Sequence, residues 1–143
     1  MRSCVHLLLI IGLLQASTTV LADDDARNRL AWMLQCQGCH RVDGTGTGDE
    51  VPAIAGHVSR FLHVEGGREF LVRVPGVASA PLDDADLAAL VNWMLAEFDP
   101  GHLPESFTPY EPAEVAALRT RPFGPEVASE RQRLMALLQA ISK

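Results

Sequence analysis

Two thiols three residues apart, Cys36 and Cys39, are followed at once by the imidazole of His40. In a Cys-x-x-Cys-His run each sulfur can form a thioether with a vinyl group of haem while the imidazole ligates iron, the attachment pattern of c-type haem. Two other chemistries share the Cys-x-x-Cys half. A zinc site needs two further ligands, and no second cysteine pair or close histidine pair completes one here. A dithiol redox pair belongs in a strand-helix-strand setting, which the flanking residues do not supply. The run predicts one covalent haem c, bonded to Cys36 and Cys39 and ligated by His40.

Haem of this kind is attached outside the cytoplasm, and the N-terminus agrees. Arg2 precedes the apolar run Val5 to Leu14, Gln15 to Thr19 is polar, and Val20-Leu21-Ala22 has the small-residue form of a signal-peptidase site. The apolar run is well short of the about 20 residues a spanning helix needs. Residues 1–22 therefore read as a cleaved signal peptide, giving a periplasmic or otherwise extracytoplasmic protein with no transmembrane span in the mature chain. Cleavage also removes Cys4, leaving Cys36 and Cys39 as the only thiols. Of 143 residues, 12 are Lys or Arg and 18 Asp or Glu. Losing Arg2 takes the net charge from −6 to about −7. An acidic chain is a poor ligand for nucleic acid, and it favours a redox partner protein with a basic docking face.

The attachment run must be delivered by a helix and backed by a loop. Asp23 to Asp25 suit a helix N-terminus, and Ala26, Leu30, Met33 and Leu34 recur at helical spacing on one face, with Trp32 beside them. After His40, Gly44, Gly46 and Gly48 at alternate positions read as a loop. Pro52-Ala53-Ile54-Ala55-Gly56 follows, with Pro52 twelve residues after His40. Together with the attachment run, this spacing resembles the proximal loop of class I cytochromes c. The resemblance implies that the Pro52 carbonyl accepts a hydrogen bond from the far nitrogen of His40, that Ile54 lies against the haem face, and that Gly56 permits a tight turn.

Beyond the loop, His57 to Val74 reads as two short helices joined at Gly66-Gly67, with Arg60, Arg68 and Arg73 as candidate partners for a haem propionate. Leu82-Asp83-Asp84-Ala85-Asp86-Leu87 is a helix start, with Asp83 as cap, Asp86 at the third position, and Leu82 and Leu87 as a hydrophobic staple. That helix is expected to run to about Phe98, stopped by Asp99-Pro100-Gly101. In the resemblance it is the last helix, which crosses the first near the haem edge, and Trp32 and Trp93 are candidates for the crossing. The predicted organisation is an all-α, cytochrome c-like domain over residues 23–98. A Pro-rich extension over 99–143 follows, with short helices near Ala113 to Thr120 and Glu126 to Ile141.

One feature departs from the resemblance. Class I cytochromes usually place a ligating Met just before the last helix, where this chain reads Arg73-Val74-Pro75-Gly76-Val77-Ala78-Ser79-Ala80-Pro81. Valine cannot bind iron. His63 is the leading replacement as sixth ligand, and an open iron is the alternative. The resemblance implies an exported monohaem electron carrier rather than an enzyme, serving an extracytoplasmic dehydrogenase or oxidase. A five-coordinate haem protein that binds small ligands is the competing reading.

Overall fold

The attachment run sits at a junction between two helices. In a computed structural model that describes residues 23–48 and 51–142, residues 23–35 are helical (α1) and Gln37–His40 form one further turn (α2). The expected signal peptide, residues 1–22, lies outside the described residues. The Cys36 amide still donates to the Trp32 carbonyl at 2.9 Å, and the His40 amide donates to the Cys36 carbonyl at 3.0 Å. The junction therefore bends without leaving its backbone unpaired.

A 3-10 helix (Val58–His63) follows the proximal loop, then α3 (Gly67–Arg73) and the single turn α4 (Pro75–Ala78). The long helix α5 covers Asp84–Phe98, and α6 (Pro112–Arg119) and α7 (Val127–Ile141) close the chain. Among the described residues there is no strand, only an isolated bridge between Thr47 and Val51. The fold is all-α.

Helix α5 starts and stops where its sequence signals place it. The Asp83 carboxylate accepts from the Asp86 amide at 2.8 Å, and the last helical residue is Phe98. Its inner face, Leu87, Leu90, Val91, Met94 and Leu95, is buried. The turn α4 replaces what the sequence presents as a loop: Pro75 occupies the first helical position, where its missing amide costs nothing and its fixed φ favours the turn.

The first helix differs more. Its buried side chains are Asn28 and Trp32, whereas Leu30, Met33 and Leu34 are 54%, 52% and 69% exposed. The expected apolar stripe thus faces outward. The physical reason is aromatic: the Trp32 ring lies 4.6 Å from Phe98 and 6.5 Å from Trp93, centroid to centroid. Burying one side chain of that size is worth roughly 3 kcal/mol, which sets the rotation of a short helix. A salt bridge from Arg29 to Glu97 and a hydrogen bond from Trp93 Nε1 to Asp25 line the same crossing.

Residues beyond Asp99 share the core of the preceding helices. Tyr110, Val115, Leu118 and Leu134 are buried in the same cluster as Trp32, Phe61, Leu87 and Leu95. On α7 the fully buried residue is Leu134, with Val127, Met135 and Leu138 half-buried, while Leu137 and Ile141 of the expected stripe are exposed. Among the described residues no helix is long and apolar enough to cross a membrane.

Candidate functional site

Helix α1 delivers Cys36 half-buried and α2 turns Cys39 outward, so the two sulfurs differ in environment. Burial, with the neighbouring Cys39 adding to it, pushes the Cys36 thiol up to about 11. A catalytic dithiol needs the opposite shift, because its attacking sulfur must be a thiolate near neutral pH. The local physics therefore disfavours redox-pair chemistry. It leaves two protonated thiols at the end of a helix. Among the described residues no three His, Cys, Asp or Glu side chains gather as a metal cage would require.

His40 is half-buried, with its ring centroid 6.0 Å from that of Trp32. Burial lowers its pKa from the ordinary imidazole range, and the Pro52 backbone carbonyl beside it opposes that shift in part. The approach of Pro52 does not close a hydrogen bond, since His40 Nδ1 is buried without a partner. A neutral ring is the form that can give a lone pair to a metal.

The loop that brings Pro52 back is held by its own backbone. Both the Ile54 and Ala55 amides donate to the Gly44 carbonyl, and the Gly46 amide donates to the His40 carbonyl. Gly46 has φ +74, and a Cβ there would stand 2.2 Å from the Val51 oxygen, so no other residue fits. Gly56, at φ +70, donates its amide to the Phe98 carbonyl at 2.9 Å and ties the loop to the end of α5. Ile54 packs half-buried against the core.

Three buried side-chain polar atoms lack a partner among the described residues: Trp32 Nε1, Gln37 Oε1 and His40 Nδ1. All belong to the stretch that carries the attachment run. Leaving such an atom unpaired costs about 1–3 kcal/mol each, and elsewhere the described core is well satisfied. Two thiols, a neutral imidazole and unspent hydrogen-bonding capacity in one place fit a haem bonded through Cys36 and Cys39 and ligated by His40 Nε2. Nδ1 would then be left to face Pro52.

The arginines named as propionate candidates separate. Arg68 forks onto Glu114 at 2.6 and 2.7 Å, donates to the carbonyls of Thr108 and Pro109, and lies 4.0 Å from the Tyr110 ring centroid. Arg73 donates to the Arg121 carbonyl and stacks on Phe123 at 4.1 Å. Both hold the extension. Arg60 donates to the Gly56 carbonyl and lines a cleft of about 160 Å³ with Pro52, Ala53, His57, Arg131, Met135 and Leu138. Arg131 comes from α7, and sequence reasoning missed it because no local pattern ties that helix to the proximal loop.

His63 is exposed at the end of the 3-10 helix, and its Nε2 contacts the His102 carbonyl at 2.8 Å. His102 in turn pairs through Nδ1 with Asp99, whose other oxygen accepts from the Ser59 amide at 2.9 Å. Met94 is buried in the core on α5.

No protein-family profile matches the chain. It is 34% identical over 119 residues to cytochrome c-552 of Thermus thermophilus, a match covering 70% of this chain and 91% of that protein. Cytochrome c-552 from a second record of the same species, a named strain, matches with the same identity, covering 70% of this chain and 80% of the relative.

Proposed function

Because this chain belongs to the c-type cytochromes, electron-transfer proteins rather than enzymes that carry haem c covalently, we propose that it is an exported monohaem carrier of single electrons. It exchanges them with an extracytoplasmic dehydrogenase or oxidase. The observation that carries this reading is the concentration of unpaired polar atoms, protonated thiols and a neutral imidazole within Trp32 to His40. The haem would supply an iron that cycles between ferric and ferrous states.

The side chains around it bind, orient and shield. Cys36 and Cys39 anchor the group, His40 ligates from one side, and Pro52 orients the imidazole once Nδ1–H turns to its carbonyl. Ile54 and Trp32 supply apolar wall, which keeps water from the ring edge and favours the less charged iron state. Arg60 and Arg131 are the arginines placed to receive a propionate, since Arg68 and Arg73 are committed to the extension. Exposed Cys39 marks the side on which the partner meets the haem edge, and the acidic balance of the chain suits a basic face on that partner.

The test is expression with a haem-attachment system in a Gram-negative host. Intact mass of the exported protein should equal the chain beginning at Asp23 plus one haem, with haem-stained bands surviving denaturing electrophoresis. Cys39→Ala should abolish full attachment. A mature chain of apo mass, or one retained in the cytoplasm, would contradict the reading.

A further inference from the structure

The connection between α3 and α5 carries no side chain that can ligate iron, and a residue from the extension pins it. Between Val74 and Leu82 the side chains are Val, Pro, Gly, Val, Ala, Ser, Ala, Pro and Leu. Ala78 and Ala80 are buried, and Val74, Val77 and Leu82 pack half-buried against the core. Arg119, at the last turn of α6, spreads its guanidinium over this segment. Nε donates to the Ala78 carbonyl at 3.1 Å, Nη2 to that of Ala80 at 2.6 Å, and Nη1 to that of Leu82 at 2.8 Å and to the Asp84 carboxylate at 3.1 Å. Its side chain is only 18% exposed.

One guanidinium satisfying three backbone carbonyls and a carboxylate leaves that segment a single arrangement. Ligating side chains elsewhere are spent or turned away. His63 is exposed with Nε2 on a backbone carbonyl, and His102 is paired with Asp99. The Tyr110 hydroxyl donates to the Arg68 carbonyl, Met33 is exposed, and Met135 lies in the cleft beside Pro52, on the side that His40 already serves.

We propose that the haem iron of this protein has no sixth ligand from the chain and binds small neutral diatomic molecules of the carbon monoxide and nitric oxide class. Val74, Val77 and Ala78 form the apolar wall that such a ligand meets, and Arg119 is the positioning residue that holds the wall in place. The inference rests on haem attachment at Cys36, Cys39 and His40. A wall of hydrocarbon offers no donor to a bound anion, so a π-acceptor that needs no hydrogen bond is favoured over azide or cyanide. It also offers no acid or base for splitting peroxide.

The experiment uses the exported protein, first weighed to establish one covalent haem. A chain without haem overturns the attachment reading itself, before any ligand is added. With haem present, the expected result is a high-spin ferrous spectrum, rapid carbon monoxide binding, and no change in either for His63→Ala. A low-spin wild type that resists carbon monoxide overturns the proposal, and His63→Ala or Met94→Ala then identifies the side chain that holds the iron. For Arg119, flash-photolysis rebinding of carbon monoxide should change several-fold in both Arg119→Gln and Arg119→Lys, since an ammonium cannot span three carbonyls. Rebinding identical to wild type in a folded variant removes Arg119 from the role.

Discussion

The two connections that bound the haem-binding core are held by opposite means. The loop from Arg41 to Gly56 is held from within, by backbone bonds onto the Gly44 carbonyl and by glycines whose φ values other residues rarely adopt. The connection from Val74 to Leu82 is held from outside, by an arginine some 40 residues further on in α6. A loop that stores its shape in its own backbone keeps it whatever surrounds it. A segment pinned by a distant side chain keeps its shape only while that helix stays docked, so the extension becomes part of whatever the segment does.

The largest expected effect breaks the self-held loop. Gly46→Ala forces a Cβ to 2.2 Å from the Val51 oxygen and should cost about 4 kcal/mol, the range reserved for backbone strain at a special position. Chemical denaturation of the holoprotein measures it, and a wild-type midpoint would show that the loop can rearrange freely. Arg119→Ala comes next. It strips partners from three carbonyls and Asp84, and about 2–3 kcal/mol should be lost. If the loss is within error of zero, the extension does not pin the α3–α5 connection in solution.

Asp83→Ala sharpens the contrast by testing a purely local contact. Losing the cap bond to the Asp86 amide should lower stability by about 1 kcal/mol, read from thermal unfolding, with haem retained. The smallest effect concerns pH. The hydrogen bonds from Arg68, more than anything else, hold the Glu114 carboxyl below the ordinary glutamate range. A carboxylate depressed in the folded state contributes stability that is present above its unfolded pKa and is lost as pH falls through the folded one. Acid titration of the unfolding midpoint should therefore be slightly shallower in Glu114→Gln than in wild type. Equal slopes would mean that solvent screens the pair at the surface.

Much of the site was legible because it is local. Cys36, Cys39 and His40 fall on one turn, and the spacing to Pro52 is set by a loop whose glycines announce it. The start of α5 at Asp83 is a four-residue signal, and Pro112 marks the head of α6 in the same local way. The rotation of α1 was not legible. Leu30, Met33 and Leu34 are a plausible stripe by period alone, and only the aromatic surface of Trp93 and Phe98 decides that Trp32 turns inward. Nor did the chain announce that Arg68 and Arg73 would serve the extension, because their partners at Glu114 and Arg121 lie more than 40 residues away.

Sequence by itself determined the chemistry: two thiols and an imidazole on one turn, a loop built to return a proline toward them, and a segment before the last long helix with nothing to offer iron. Tertiary structure decided which arginines remain beside the proximal loop, which face of α1 is buried, and that α6 reaches back to clamp Val74 to Leu82. The division follows the range of the forces. Covalent attachment, caps and glycine turns act within a few residues and leave their mark in the order of the chain. Guanidinium forks and aromatic packing join residues that only the fold brings within a few ångströms, so their partners are set by three-dimensional proximity and not by spacing.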